Sequence, residues 1–469
     1  MMVATDAYPL IDYPDLDRVM LYRPGERITA GRFLAEAQYL ADLLVGLQPD
    51  RPPTAAPVLN LCQDRYRFMV GLAAAAQSGN VSLLPSNHAD DTLRHLLECF
   101  PDTVCLHDQV EWTLPAPQLA YPTAVPALSS AEAIPAVAGA QQVAFVFTSG
   151  STGRPVPHAK TWGKLVRNVR GAQTALGLDG AVSIVGTVPP QHMFGLESTV
   201  LLCMLGGCPL WSGRPFYPAD IVAALAEMPE PRMLVTTPFH LQSLLDSGLA
   251  IPPIAHLLLA TAPLDRALAE RAERQLAAPL REIYGCTETG QIATRRPVES
   301  LDWTLFPGVL LEVDPLPDDQ AADATESGVF RASGGHIEVP IRLADRLDVL
   351  SDGRFRLLGR LADQVNIAGK RSALSALTAQ LKEIPGVTDG VFFQPDPLPD
   401  QAIPRLCALV VAPERTRAEI LSALRLRVDP VFLPRPLILV DALPYNETGK
   451  LPRAQLQARL DRYRESLKP

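Results

Sequence analysis

The chain of 469 residues has no two cysteines in a C-x-x-C spacing, and its seven, Cys62, Cys99, Cys105, Cys203, Cys208, Cys286 and Cys407, are an odd number. A zinc ribbon, a redox motif and a disulfide framework are therefore not expected, and the thiols read as reduced core or pocket residues. Positive charge is also short: 42 Lys and Arg face 51 Asp and Glu, for a net charge of −9. That leaves no global footprint for nucleic acid or an anionic membrane. The longest apolar run, residues 200–211, is interrupted by glycines and too short to span a bilayer. Residues 1–15 carry acids and prolines where a signal peptide would carry a basic and then an apolar segment, so a cytoplasmic protein is expected. No internal repeat is found. What is present, 47% hydrophobic and 20% charged residues, is enough for one large core or two, and it excludes disordered, collagenous and mini-protein classes.

From about residue 31 helical and strand-like patterns alternate, which predicts an α/β fold. Residues 33–47 and 68–76 read as helices, and 58–61, 143–147, 182–188, 233–236 and 256–260 as strands. Several strands run into turns containing Gly, Pro or Thr, where parallel sheets place their ligand loops. Residues 109–140, rich in Pro and Ala, read as a covering loop or inserted connection. Charged residues crowd into 345–372. A boundary there divides the chain into residues 1–360 and a smaller α+β piece, 361–469, with helices at 374–381 and 417–424 and strands at 391–393 and 406–411.

Four segments carry candidate chemistry. Thr148-Ser149-Gly150-Ser151-Thr152-Gly153 follows an apolar strand; its glycines free the backbone to turn N–H groups inward and its hydroxyls add donors, as a polyphosphate seat requires. It lacks the Gly-Lys-Ser/Thr ending of a Walker A loop, and a mobile polar turn would give the same string. Tyr284-Gly285-Cys286-Thr287-Glu288 places an aromatic face, a close-approach glycine, a hydroxyl and a carboxylate within five residues, suited to a base, a phosphate and a divalent cation. A capped core tyrosine and a solvated glutamate are the plain alternative. Asp345, Gly359-Arg360 and Gly369-Lys370-Arg371 fit a ribose diol and an anion, or equally a charged hinge. In the last segment, 443–453, Lys450 stands on a glycine-containing loop from which a lysine can reach into a cleft as a point charge.

In order and spacing these four segments resemble the adenylate-forming superfamily of acyl-CoA synthetases, peptide-synthetase adenylation domains and firefly luciferase, over residues 27–453. The resemblance implies a large N-terminal domain, 1–360, of two βαβ-type sheets plus a distorted barrel, and a small mobile α+β lid, 361–469. It also implies two half-reactions: attack of a carboxylate on the α-phosphate of Mg-ATP with release of pyrophosphate, then transfer of the acyl group to the thiol of CoA or of a carrier protein's phosphopantetheine. Under it, Thr148, Ser149, Gly150, Ser151, Thr152 and Gly153 would wrap the β- and γ-phosphates. Thr261, Ala262 and Pro263 would contact adenine by backbone. Tyr284 and Gly285 would seat the base, Thr287 the α-phosphate and Glu288 the Mg2+. Asp345 would take the ribose hydroxyls with Arg360 assisting, while Lys450, with Arg371 in the neighbouring motif, would serve catalysis.

The chain also departs from the family pattern. Val156 stands where the phosphate loop usually ends in lysine, leaving Lys160 or Arg154 to supply that charge. The hinge aspartate is replaced by Ala362, with Asp363 beside it, and Ala373 replaces a common glutamate. His192, in Pro189-Pro190-Gln191-His192-Met193-Phe194-Gly195-Leu196, matches the gate beside the acid pocket, which Phe194, Leu196, Ser198, Ala260 and Cys286 would line. No carboxylate precedes Glu197 to meet a substrate ammonium, so an aryl acid or medium-chain acyl acid is favoured over an amino acid. The compact size and the Lys160-Thr161-Trp162 segment look like the synthetases of aryl polyene and xanthomonadin-type pigment pathways. A stand-alone amino-acid adenylation protein and a degenerate nucleotide-binding protein are the competing readings; the oligomeric state is left open.

Overall fold

The computed structural model describes residues 6–47, 57–108, 114–122, 131, 133–149, 155–178, 182–314, 327–360, 364–367, 370–396, 405–446 and 450–466. They form two compact units, residues 1–311 with 332–341, and residues 312–331 with 342–469.

The first unit holds two large sheets. In the six-stranded one, the strands Gln142–Ser149, Val81–Leu84, Pro57–Asn60, Val104–His107 and Gln118–Ala120 run parallel, and Pro155–Thr161 closes one edge antiparallel to Gln142–Ser149. The nine-stranded sheet has a parallel centre, Leu280–Cys286, His256–Leu259, Arg232–Thr236, Ser183–Gly186, Leu210–Trp211 and Val19–Arg23, with antiparallel strands at both edges. The predicted strands are all there, within a residue or two at each end. The helices are there too, each starting three residues earlier than read, Ala30–Gly46 for 33–47 and Arg65–Gln77 for 68–76. Central parallel strands are apolar on both faces because helices cover both, which is why Ser183–Gly186 and Val104–His107 are buried at every position.

The helix Arg65–Gln77 begins on an Asp64 cap, whose carboxylate accepts from the Arg67 N–H at 2.9 Å. Its first side chain joins the two sheets. The Arg65 guanidinium, 1% exposed, donates to the carbonyls of Gly186 (3.0 Å), Val188 (2.8 Å), Trp211 (3.3 Å) and Gly213 (3.2 Å), at the carboxyl ends of two strands of the larger sheet. Burial lowers its pKa to about 10, which still leaves it charged at neutral pH.

The strands Val309–Val313, Ser327–Gly334, Ile337–Val349 and Phe355–Arg360 form a four-stranded sheet. In the second unit Asp389–Phe393 pairs antiparallel with Cys407–Val411, which pairs parallel with Leu437–Leu439. The helices Leu374–Lys382 and Arg417–Arg425 cover an apolar cluster that includes Leu377, Leu381, Ile420 and Leu424. The α/β class read from the sequence is the fold observed. No helix among the described residues is long and apolar enough to cross a membrane. None of the seven cysteines is in a disulfide; Cys99, expected in a core or pocket, is exposed instead, at the end of the helix Asp90–Cys99.

Candidate functional site

The nucleotide-type motifs of the first unit converge at the carboxyl ends of its strands. Thr148 and Ser149 end the strand Gln142–Ser149, while Gly150, Ser151, Thr152, Gly153 and Arg154 lie outside the described residues. The Thr148 hydroxyl is 3.0 Å from His158 Nε2, and the same ring nitrogen is 3.7 Å from a Glu288 carboxylate oxygen. His158 thus bridges the phosphate-loop strand and the Tyr284 to Glu288 segment, a role that sequence reading missed. Its strand partner could not be foreseen because the antiparallel register of Pro155–Thr161 is a tertiary property. Burial, with the charges of Lys160 and Lys164, lowers the His158 pKa against the pull of Glu288. Val156 is 42% exposed and opposite Thr148 in the ladder.

Gly285 is required by packing: a Cβ there would sit 2.1 Å from the Gly290 carbonyl oxygen in the hairpin between Leu280–Cys286 and Gly290–Arg295. Tyr284 rests against Trp303 with ring centroids 5.6 Å apart. Thr261, just beyond the strand His256–Leu259, has φ of 82°, a conformation costly for a β-branched residue. Strain held at this position, in the Thr261 to Pro263 loop, is the pattern of ligand-facing backbone.

Glu288 is half-exposed. Burial raises its pKa, but hydrogen bonds from its own backbone N–H and the Cys286 thiol, with the His158 and Lys160 charges, outweigh that and hold it below the usual range. An ionised, accessible carboxylate suits a hard cation. Among the described residues no group of three or more His, Cys, Asp and Glu stands close enough to hold a metal alone.

Behind the turn lies a buried polar cluster. Lys160 Nζ donates to the Thr287 carbonyl and, at 3.2 Å, to the Glu288 carbonyl; Lys164 Nζ donates to the Glu288 carbonyl at 2.9 Å. Lys160 is therefore committed beneath the turn, away from the role of a loop lysine beside Val156. Burial raises the Glu197 pKa and lowers that of Lys160. The Gln291 N–H donates to Glu197 at 3.2 Å and its side-chain amide to Ser198 at 2.6 Å, tying this hairpin to the helical segment after His192.

That segment is Met193–Gly195 followed by a π-helical stretch, Leu196–Leu201, a rare geometry that concentrates at functional sites. Gly195 permits it, since a Cβ would meet the Pro189 carbonyl oxygen at 1.9 Å. Of the residues expected to line an acid pocket, Leu196, Ser198 and Ala260 are buried, while His192, Phe194 and Cys286 are half-buried. Ser198 is engaged by Gln291.

Two histidines of this unit give a pH test. Burial, with the Arg214 charge, lowers the His240 pKa to about 4. Burial lowers that of His336 to about 4 as well, although its ring hydrogen-bonds the Thr289 carbonyl. Folded pKa values below the unfolded one mean that the unfolded chain binds more protons between about pH 6.5 and 4. Stability is thus complete above that window and lost as pH falls through it, by up to about 1.4 kcal/mol per pH unit for each histidine. Urea titrations at pH 7.5, 5.5 and 4.5 should show falling midpoints, with the fall reduced in His240→Asn. Equal midpoints at all three would contradict the burial of neutral rings.

In the second unit Asp345 and Arg360 are register partners across the Ile337–Val349 and Phe355–Arg360 ladder, with a bulge between Asp345 and Leu347. The ribose pair named from sequence thus shares one ladder. Arg371 pairs with Asn366 in a two-stranded ladder, and Ala362 and Asp363 lie outside the described residues. Lys450 is exposed. Its N–H donates to the Asn446 side chain at 2.8 Å while the Asn446 N–H donates to the Lys450 carbonyl at 2.8 Å, and the Tyr445 hydroxyl donates to Asp389 at 2.8 Å.

Residues 12–313 match the AMP-binding enzyme family model, and the chain belongs to that family. It is 31% identical over 242 residues, 51% of this chain and 57% of the relative, to the 4-coumarate–CoA ligase of Rhodobacter capsulatus. It is 25% identical over 347 residues, 67% of this chain and 65% of the relative, to a 4-chlorobenzoate–CoA ligase of an Arthrobacter species. The matches thus span about half to two-thirds of the length of these curated relatives. Among solved structures, ATP-bound MatB from Rhodopseudomonas palustris superposes with a TM-score of 0.81 at 18% identity, covering 97% of this chain and 98% of that one.

Proposed function

We propose that the protein activates a carboxylic acid with ATP, forming an acyl-adenylate and pyrophosphate, and then passes the acyl group to the thiol of CoA or of a carrier protein. The observation that carries this reading is the convergence of Thr148, His158 and Glu288 at the strand ends, in a family of AMP-binding enzymes. The two ligase relatives named above act on aromatic acids, which agrees with an aryl or medium-chain acid as substrate and with the absence of a carboxylate before Glu197.

The acid and the triphosphate are both anions, so the site must neutralise and align them before the oxygen can attack phosphorus. Thr148 and Ser149, with residues 150–153, bind the terminal phosphates, and Thr287 binds the α-phosphate. Thr261 to Pro263 and Tyr284 hold the base, and Asp345 with Arg360 the ribose. Mg2+, held by Glu288, supplies further neutralisation of phosphate charge. His192 gates the acid, and Lys450 stabilises the charge shared between the carboxylate and the α-phosphate, with Arg371 in support. Residues 361–469 form the mobile lid that carries this lysine. The aryl polyene and xanthomonadin-type branch is the specific assignment we favour.

The test is a panel of benzoates, cinnamates, medium-chain fatty acids and amino acids assayed for acid-dependent pyrophosphate release, with CoA and then a carrier protein added. Hydroxybenzoates, cinnamates or medium-chain acids are expected to give rates at least tenfold above any amino acid. Faster release with an ammonium-bearing acid would replace this reading by amino-acid adenylation. ATP binding without turnover of any acid would leave a nucleotide-binding protein.

A further inference from the structure

Two lysines on one side of the Thr287–Glu288 turn are not used by the proposed reaction. Lys160, on the strand Pro155–Thr161, is 0% exposed, and Lys164, in the first turn of the helix Trp162–Leu176, is 8% exposed. The helix start is fixed by the Thr161 hydroxyl, which accepts from the Lys164 N–H at 3.3 Å. Strand and helix thereby bring both ammonium groups to adjacent carbonyls, Thr287 and Glu288 from Lys160, and Glu288 from Lys164. Burying two like charges together is costly, and the cluster retains them with acidic neighbours that only partly offset burial, Glu197 and Glu288 for Lys160 and Glu338 and Glu197 for Lys164.

A trans peptide sets its N–H opposite its C=O. Drawing the carbonyls of residues 287 and 288 onto the lysines therefore turns the N–H groups of Glu288 and Thr289 to the other side of the turn. The Glu288 carboxylate, which accepts from its own N–H, goes with them. The Glu288 N–H is thus taken by its own carboxylate and Thr289 is 0% exposed, so what the turn presents outward is that carboxylate, and cations behind the carbonyls polarise the amide that holds it. We propose that Lys160 and Lys164 are positioning residues that, by holding the two carbonyls of this turn, aim the Glu288 carboxylate at the metal-bearing phosphates of Mg-ATP and place behind the turn positive charge that Val156 does not supply from the loop. The inference rests on the reading of this turn as the one that meets Mg-ATP.

The experiment is calorimetry on the full chain, wild type, Lys160→Met and Lys164→Met, with three titrants: Mg-ATP, ATP in EDTA, and adenosine, which probes the base seat alone. Thermal melting is recorded for each protein. Mg-ATP affinity should fall at least fivefold in Lys164→Met and tenfold in Lys160→Met, the Mg2+ concentration for half-saturation should rise, and adenosine affinity should stay within twofold of wild type. If Lys160→Met does not fold, Lys164→Met, whose amine holds one carbonyl, decides alone. Mg-ATP affinity within twofold of wild type overturns the proposal, as does a parallel loss of adenosine and Mg-ATP binding, which would mark the lysines as structural. Wild-type protein that binds neither Mg-ATP nor ATP in EDTA overturns the functional reading as well.

Discussion

Lys450→Ala is expected to slow acid-dependent pyrophosphate release by about two to three orders of magnitude, the usual cost of removing one group that stabilises transition-state charge. Melting should be unchanged, because the side chain is exposed and surface truncations rarely cost more than about 0.5 kcal/mol. Thioester formation from a supplied acyl-adenylate should stay within a few-fold of wild type, since phosphorus chemistry is over by then. The comparison of the two half-reactions makes the result specific. Equal loss in both would point to a folding defect of the loop, and no loss in the first would remove the lysine from the mechanism.

The second large effect falls on stability. Arg65→Met is expected to destabilise the first unit by about 3–5 kcal/mol, because four carbonyls at strand ends lose their donors inside protein and each unmet buried group costs about 1–3 kcal/mol before relaxation. The first melting transition should drop by several degrees. A loss below about 1 kcal/mol would mean that water enters and takes over the bonds. Two of the carbonyls, Gly186 and Val188, lie just before Pro189 and His192, so the KM for the acid should rise in whatever fraction stays folded, more than that for ATP.

Arg65 also shows where sequence reading stops. Most of the helix that begins with it, and the strand Ser183–Gly186, follow from apolar periodicity, which reports local structure directly, whereas the short strand Leu210–Trp211 was hidden in an apolar run. An arginine near a helix start looks like an ordinary solvated cation, and nothing in the spacing between residues 65 and 186 predicts that a guanidinium will close the gap between two sheets. The same limit applies to His158 and Lys160. Their alternation along a strand puts them on one face, yet which face, and beside which turn, depends on the register with Gln142–Ser149 and on the hairpin at Gly290. The motif residues Thr148, Tyr284 and Glu288 were legible because contiguous strings carry their own geometry. Those around them were assembled by tertiary packing and left no local mark. The helix from residue 193 to 206 was legible only as an apolar run, and its π-helical turn depends on the close approach of Gly195 to Pro189.

The loop that presents Lys450 is buttoned at its base: Asn446 and Lys450 exchange hydrogen bonds across residues 447–449, and Tyr445 is tethered to Asp389. Such a stem behaves as a stiff arm. In the function proposed above, travel of the ammonium group beyond its own rotamers would be carried by the body that holds Tyr445 and Asp389.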